Sequence, residues 1–117
     1  MQQIKLVLVD AHDLSRFGMQ MILKKSEHVR IEGVFKDWGN ATSFLSQNRV
    51  HIVLLDDEQP RSLDLAQVIE DFREQYPATF IIILSKRLSV RYVQRLLTSG
   101  AKGFLYKDDR LFWEVSR

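Results

Sequence analysis

The stretch that decides the fold of this chain is His51-Ile-Val-Leu-Leu-Asp56-Asp-Glu-Gln-Pro60. Its four consecutive apolar residues, 52–55, are typical of a strand that is buried on both faces, as in a parallel sheet. Asp56 ends the run, and Pro60 prevents the strand from continuing because proline has no backbone N–H to donate. Asp56 is therefore predicted near the carboxyl end of a strand, where open α/β sheets bind their ligands. An acid there can also be only a solvated loop residue, and the other strands decide between these interpretations.

Length and composition exclude several classes of protein. The 117 residues are enough for one domain with its own hydrophobic core. The net charge of +2 is mildly basic, which is not by itself the signature of a nucleic-acid-binding surface. The chain has no cysteine, so neither a disulfide framework nor a thiolate metal site is expected. It shows no apolar run of membrane-spanning length and no signal-peptide pattern, so we expect a cytoplasmic protein.

Strand and helix patterns alternate along the whole chain. Besides the central strand, the segments that predict strands are residues 4–10, 80–84 and 103–106, together with the shorter and more polar segment 30–35, which is typical of an edge strand. Helical patterns follow each strand, and the last begins near residue 109. This order predicts an α/β fold, a flavodoxin-like doubly wound parallel sheet with strand order 2-1-3-4-5 and helices on both faces.

The predicted helices carry boundary signals and apolar stripes. Asp13, Asp64 and Ser89 are predicted N-caps, because a short polar side chain accepts a hydrogen bond from the free N–H groups of the first turn. The third helix is expected to end at Tyr76, before a proline, and the fourth at Gly100. Apolar residues at helical spacing mark one face of each helix: Leu14, Phe17 and Met21; Ala41, Phe44 and Leu45 in a helix over 40–47; Leu65, Val68, Ile69 and Phe72; Val90, Val93 and Leu97.

Four of the predicted strands end in polar or charged residues. The first ends in Asp10, the third in Asp56, the fourth in Ser85, and the fifth runs into Lys107. The carboxyl ends of parallel strands share one edge of a sheet, so these side chains should converge there. Two carboxylates can hold a hard cation such as Mg²⁺, and an aspartate can act as a nucleophile toward phosphorus.

These motifs resemble the receiver domain of bacterial two-component response regulators, in the CheY-like superfamily. The most similar members are the NarL/FixJ type, in which the receiver precedes a LuxR-type helix-turn-helix domain. The resemblance covers nearly the whole chain and rests on Leu8-Val-Asp10, on Val53-Leu-Leu-Asp56 with Pro60 four residues later, on Ile83-Leu-Ser85, and on Ser99-Gly-Ala-Lys-Gly-Phe-Leu-Tyr-Lys107.

The resemblance implies a role for each strand-end residue. Asp56 corresponds to the phospho-acceptor. Asp10 corresponds to one acid of the Mg²⁺-binding pair, and Glu58 to the position whose backbone carbonyl is a metal ligand. Ser85 corresponds to the switch hydroxyl and Lys107 to the lysine that pairs with the phosphoryl group.

Two aromatic residues near the site have less specific expectations. Phe104 occupies the position of an aromatic residue that changes rotamer together with Ser85, although plain core packing explains it equally well. For Tyr106, packing in the core or in an interface is the better expectation.

The sequence departs from the family pattern at two positions. The family has a second acid after the first, and here Ala11 stands in its place; Asp13 is two residues further on and is expected to be only a helix cap. Lys86 follows Ser85 where a small residue is usual, and either lies beside the acidic site or is solvated. The two departures together predict weak Mg²⁺ binding and slow phosphorylation of Asp56, if any.

The leading hypothesis is therefore a signalling domain over residues 1–117, not an enzyme. It would be phosphorylated by a sensor histidine kinase and would contact DNA only through an output domain outside this chain. The alternative is a pseudo-receiver that works as a phosphorylation-independent interaction module. A flavodoxin-like or hydrolytic enzyme has little support, because the sequence shows no flavin phosphate loop, nucleophile elbow or catalytic histidine.

A weak homodimer is also expected. It would use the first helix or the side formed by the fourth helix, fifth strand and last helix. The charged residues expected on that side are Arg87, Arg91, Arg95, Asp108, Asp109 and Glu114.

Overall fold

The structure is a computed structural model that describes residues 2–60 and 62–107. Strands and helices alternate strictly along the described residues, and none of these helices has the length and apolar character that a membrane span requires. The elements in chain order are β1 (Ile4–Val9), α1 (Asp13–Lys24), β2 (Val29–Phe35), α2 (Trp38–Leu45), β3 (Ile52–Asp56), α3 (Leu65–Gln75), β4 (Phe80–Ser85), α4 (Val90–Ser99) and β5 (Gly103–Tyr106).

The strands form one parallel sheet with the order β2-β1-β3-β4-β5. The predicted flavodoxin-like fold and strand order are confirmed. The winding direction changes between β1 and β3, and this change opens a crevice at the carboxyl ends of the two strands. Asp10 directly follows β1, and Asp56 is the last residue of β3.

Alternate residues of the central strands face two separate cores. Val7, Val53 and Ile83 are buried against α2, α3 and α4 on one face of the sheet. Leu8 and Leu54 are buried with Met19 of α1 on the other face. Because both faces are covered, β1, β3 and β4 read as continuous apolar runs, which is the pattern that predicted them.

The predicted ends of α3 and α4 are confirmed. Asp64 and Ser89 are the N-caps, and each side-chain oxygen accepts a hydrogen bond from the backbone N–H three residues further on, at 3.4 Å. Gly100 follows α4 with a φ of 124°, which is the left-handed region that favours glycine.

The predicted starts of α1 and α2 are corrected. The N-cap of α1 is His12, whose side chain makes no capping bond, and Asp13 is the first helical residue. The Asp13 carboxylate instead accepts a hydrogen bond from Arg16 at 2.6 Å, and this guanidinium lowers the pKa of Asp13. Helix α2 begins two residues before the predicted start of 40–47, because Asp37 caps it by accepting the N–H of Asn40 at 2.8 Å.

The apolar stripe that predicted α1 faces away from the core. Leu14, Phe17 and Met21 are 86%, 62% and 51% exposed, whereas Met19 is buried and Ile22 packs beside it. The helix therefore has two apolar faces, and periodicity alone does not say which of them meets the sheet.

The apolar stripe of α4 is also largely outside the core. Val90 is 75% exposed and Leu97 is 42% exposed, while Leu96 and Ser99 are the buried residues of this helix. In α2, Ala41 and Leu45 are buried as expected, and Phe44 is half-buried.

Candidate functional site

Four side chains at the carboxyl edge of the sheet are buried in one place. Asp56 and Ser85 are the last residues of β3 and β4, and the backbone pairing of neighbouring strands positions the other two. The N–H of Asp10 donates to the carbonyl of Phe35 at 2.9 Å, and the N–H of Lys107 donates to the carbonyl of Ser85 at 2.7 Å. Asp10, Asp56 and Ser85 are 0% exposed and Lys107 is 3% exposed.

The Lys107 ammonium lies between the two aspartates. Its Nζ is 3.2 Å from Asp10 Oδ2, forms an ion pair with Asp56 Oδ2, and donates to the Ser15 hydroxyl at 2.7 Å. Burial lowers the pKa of Lys107, but the hydrogen bonds and charges of Asp56 and Asp10 outweigh that effect and raise it above its ordinary value. The lysine is therefore a fixed buried cation shared by both carboxylates.

Both oxygens of the Asp10 carboxylate already have hydrogen-bond donors. Oδ1 accepts the N–H of His12 at 2.9 Å, and Oδ2 accepts the Ser15 hydroxyl at 2.5 Å as well as Lys107. Arg16 donates to the backbone carbonyl of Asp10 at 3.0 Å. Asp10 is thus tied to the first turn of α1 as well as to the lysine.

The two oxygens of the Asp56 carboxylate have different partners. Oδ1 accepts the N–H of Glu58 at 2.8 Å, while Oδ2 is buried and forms the ion pair with Lys107. Burial raises the pKa of Asp56, and the lysine and the Glu58 N–H only partly offset this effect. Oδ1 is thus held by the loop after β3 and Oδ2 by the lysine.

Ser85 donates its hydroxyl proton away from Asp56. Ser85 Oγ donates to Asp57 Oδ2 at 2.5 Å, and it accepts the N–H of Arg87 at 2.9 Å. The predicted residue is in the site, but its hydrogen-bond acceptor is the acid that follows Asp56. Asp57 was not predicted as a site residue.

Tyr92 of α4 binds the same Asp57 oxygen. Its hydroxyl donates to Asp57 Oδ2 at 2.7 Å, and its half-buried ring lies edge-on to Phe104 with centroids 6.0 Å apart. The Arg87 guanidinium lies over the Tyr92 ring, 4.0 Å from its centroid. Burial and the Asp57 carboxylate raise the pKa of Tyr92 far above its ordinary value.

A side-chain contact crosses the mouth of the crevice. A ring nitrogen of His12, in the loop after β1, contacts the Glu58 carboxylate in the loop after β3, and both side chains are about half exposed. This contact joins the two loops directly above the aspartates. The Glu58 side chain thereby takes part in the site, in addition to the backbone carbonyl expected from the resemblance.

Three residues that stand out in the sequence do not contact Asp56. Lys86 is exposed and, among the described residues, forms no ion pair with Asp56, as expected for the solvated alternative. Ala11 is exposed and contributes no oxygen, and Asp13 pairs with Arg16 and Lys36 instead.

The two aromatic residues of β5 are partly exposed. Phe104 is half-buried and packs against the core with Tyr92, so its position fits either core packing or a switch role. Tyr106 is 43% exposed, which rules out core packing and leaves the expected packing in an interface as a prediction.

Sequence reasoning missed Ser15, Asp57 and Tyr92. A partial signal existed for Asp57, since it belongs to the acidic run 56–58 at the end of the central strand. No signal existed for Ser15 or Tyr92, because which helix residues reach the site depends on how α1 and α4 pack.

The donor set fits Mg²⁺ in kind but offers few ligands. Mg²⁺ binds oxygen, keeps several waters and needs only one or two carboxylates. Asp10 and Asp56 offer carboxylate oxygens that already contact Lys107, and the Glu58 carbonyl completes the set expected from the resemblance. Among the described residues there is no group of three or more acids and histidines arranged as a metal centre.

The sequence of the chain also matches a family model. The model described as the response regulator receiver domain matches residues 6–111, and the chain belongs to this family. The predicted family is confirmed, and the similar proteins include NarL-type regulators.

The similar curated proteins and the similar solved structures point to the same class of protein. The chain is 30% identical over 107 residues to the probable transcriptional regulatory protein NarL of Mycobacterium tuberculosis, over 92% of this chain and 49% of that protein. It is 26% identical over 106 residues to the transcriptional regulatory protein DegU of Brevibacillus brevis, over 91% and 44%. The solved signal receiver domain of a NarL response regulator from M. tuberculosis has a TM-score of 0.85 at 29% identity, over 98% and 91%. The chain spans about half the length of the curated relatives it matches.

Proposed function

We propose that this domain accepts a phosphoryl group on Asp56 from a sensor histidine kinase. The observation that carries the proposal is the Asp56 carboxylate itself, which is buried at the crevice and adjoins the buried ammonium of Lys107. Family membership supports this assignment, because phosphorylation of an aspartate is the general activity of receiver domains.

The reaction follows from the contacts of Asp56. The ionised carboxylate attacks phosphorus, an O–P bond forms, and the bond to the donor nitrogen breaks with its electron pair leaving on the donor. Lys107 favours the ionised carboxylate and then neutralises the added negative charge without moving far, because it already contacts Asp56. Burial opposes ionisation of Asp56, and Lys107 partly offsets that effect.

Mg²⁺ would be held by Asp10, Asp56 and the backbone carbonyl of Glu58. When bound, it supplies charge neutralisation at the phosphoryl oxygens. Ala11 removes one oxygen ligand and one negative charge from the usual acidic pair, and Asp10 already has donors on both oxygens. We therefore expect weak Mg²⁺ binding and slow phosphorylation.

The output is proposed to be transcriptional. The relatives are named as transcriptional regulatory proteins, and the chain matches only about half of their length. DNA would be bound by an output domain that lies outside this chain. The domain would act in the cytoplasm, where the kinase domain of a sensor has access to it, and would regulate the output through self-association.

A pseudo-receiver is the second candidate, and one contact favours it. Lys107 Nζ already lies between Asp10 and Asp56, so each carboxylate has a cationic partner without a metal ion, although one positive charge balances only one of the two negative charges. In this case the domain would work as an interaction module that does not depend on phosphorylation.

Mass spectrometry of the intact protein distinguishes the two candidates. Incubation with a small phosphodonor and Mg²⁺ should add one phosphoryl group to the wild-type protein, and Asp56→Asn should abolish the adduct. Asp57→Asn is the matched control, because it alters the neighbouring acid but leaves Asp56 in place. Labelling that survives Asp56→Asn would contradict Asp56 as the acceptor.

Ala11→Asp tests the cause of weak metal binding. Restoring the acid should strengthen Mg²⁺ binding by about tenfold and speed labelling, since a carboxylate ligand returns beside Asp10. Calorimetric Mg²⁺ titration measures the first effect. Lys86→Ala in the same background should add little, because Lys86 is exposed and unpaired with Asp56. Wild-type binding as tight as that of Ala11→Asp would remove the metal argument for a pseudo-receiver.

A further inference from the structure

The Ser85 hydroxyl donates its hydrogen bond to an acceptor other than the Asp56 carboxylate. It is fully buried and donates its one proton to Asp57 Oδ2 at 2.5 Å. A hydroxyl has a single proton to donate, so a bond from Ser85 to a group on Asp56 requires that the bond to Asp57 breaks. Asp57 and any anion on Asp56 therefore compete for the same donor.

The same Asp57 oxygen holds helix α4. Tyr92 donates to Asp57 Oδ2 at 2.7 Å, and this bond links the end of β3 to the first turn of α4. Arg87 lies over the Tyr92 ring, and its own N–H donates to Ser85. Hydrogen bonds to a carboxylate are stronger than bonds between neutral groups, so the unit formed by Ser85, Asp57 and Tyr92 should persist in solution.

Asp57 itself is held from the opposite side by the sheet. Its backbone N–H donates to the carbonyl of Leu84 in β4 at 3.0 Å, which fixes the start of the loop after β3. The carboxylate is thus a rigid acceptor placed between a strand-end hydroxyl and a helix hydroxyl.

We propose that Asp57 is a positioning residue that holds the Ser85 hydroxyl away from Asp56 and fastens α4 to the sheet through Tyr92. When an anion on Asp56 accepts the hydrogen bond from the Ser85 hydroxyl, Asp57 loses one of its two donors, and the attachment of α4 changes. The competition step rests on the proposed function, whereas the attachment of α4 does not.

The attachment is tested by NMR on the unmodified protein. In wild type we expect a Tyr92 hydroxyl proton that exchanges slowly with water, assigned by its loss in Tyr92→Phe. Asp57→Ala should remove the resonance and shift the amide signals of α4, and Asp57→Asn should weaken the protection. Glu74→Gln, an exposed charge change on α3, is the control and should retain it. Unchanged central-strand amides establish that each variant is folded.

The competition is tested with beryllofluoride, a small anion that mimics a phosphoryl group, in the presence of Mg²⁺. Asp57→Ala should bind it about tenfold more tightly than wild type, because Ser85 no longer has to leave another acceptor. Removing a nearby negative charge would also favour the anion. Comparing Ser85→Ala with Ser85→Ala/Asp57→Ala isolates this charge effect, because neither variant has the Ser85 hydroxyl. In that background we expect Asp57→Ala to strengthen beryllofluoride binding clearly less than it does in wild type.

The outcomes separate this inference from the proposed function. An unprotected Tyr92 hydroxyl in wild type, or a protected one in Asp57→Ala, overturns the attachment. Equal gains from Asp57→Ala with and without Ser85 overturn the competition. If no variant, Ala11→Asp included, binds beryllofluoride or accepts a phosphoryl group, the proposed function fails and the competition fails with it. The NMR result then still decides whether Asp57 holds α4.

Discussion

At the scale of single residues, Lys107 has the largest energetic role in the site. Two buried carboxylates without a cation would be strongly destabilising, because the desolvation of each charge would be uncompensated. Lys107 contacts both, and the backbone pairing of β5 with β4 holds it in position. The lysine that the chemistry needs is thus also needed by the fold.

Lys107→Met should lower the free energy of unfolding by about 3–5 kcal/mol, the usual cost of breaking a buried ion pair from one side. Urea unfolding at neutral pH measures it. Lys102→Met, at an exposed lysine near β5, is the control and should change stability little. Asp56→Asn in the Lys107→Met background should recover part of the loss. An effect no larger than that of the control would contradict a buried ion pair.

The contributions of Lys107 and Asp56 to the free energy of unfolding change with pH in a definite direction. The folded-state pKa of Lys107 is raised above its ordinary value of 10.5, so its contribution is complete below that pH and is lost as pH rises through the folded value. The pKa of Asp56 is raised above 3.8, so this carboxyl favours the folded state below that pH and loses that effect as pH rises. Urea unfolding across pH should therefore show the Lys107→Met deficit narrowing toward acid pH and toward strongly alkaline pH.

At the scale of elements, the end of α4 depends on one backbone conformation. Gly100 has a φ of 124°, and a Cβ added there would lie 2.6 Å from Arg73 Cδ of α3. The site is affected indirectly, because this turn leads into β5 and Lys107.

Gly100→Ala should destabilise the domain by about 1–3 kcal/mol, because a side chain is strained at this φ and Arg73 must move. Thermal or urea unfolding measures the loss. Gly39→Ala is the matched control: Gly39 is helical, and its nearest contact is an Asp37 oxygen at 3.4 Å, so this change should stabilise by about 0.5–1 kcal/mol. Similar effects at both glycines would mean that the φ value is not the cause.

The elements also show what the sequence could and could not predict. Strands buried on both faces were predictable because they form uninterrupted apolar runs, and parallel pairing then determines where Asp10, Asp56, Ser85 and Lys107 lie. The buried face of α1 was not predictable, since Phe17 and Met19 belong to two different apolar faces of one helix. The hydrogen-bond acceptor of the Ser85 hydroxyl was equally unpredictable, because Asp56 and Asp57 are adjacent acids and only the direction of each side chain distinguishes them.

At the scale of the whole molecule, α1 and α4 offer two surfaces for self-association. The exposed face of α1 carries Leu14, Phe17 and Met21. The described side of α4 and β5 also exposes apolar residues, Val90, Leu97 and Tyr106, but they lie beside Arg87, Arg91 and Arg95, whose like charges oppose pairing with a second copy. The acids expected to offset them, Asp108, Asp109 and Glu114, lie outside the described residues, so that half of the sequence-based expectation stays a prediction.

We expect the weak homodimer to use α1. Phe17→Ser should weaken association by about tenfold or more, because the apolar area of a Phe side chain is lost from the contact. Val90→Ser, at an equally exposed apolar residue of α4, should leave it unchanged. Sedimentation at increasing concentration, with and without beryllofluoride, measures both. A strict monomer throughout, or disruption by Val90→Ser alone, would contradict the assignment to α1.

The distance along the chain between Asp10 and Lys107 has a consequence for biosynthesis. The acids emerge from the ribosome with β1 and β3, whereas their counter-ion follows only after β5, at the end of the described residues. Until then a growing chain could bury Asp10 and Asp56 only as uncompensated charges, which is strongly unfavourable. Earlier strands can pair, but the crevice should close only when residue 107 has left the exit tunnel, so a nascent chain stalled before that point should remain accessible to proteases.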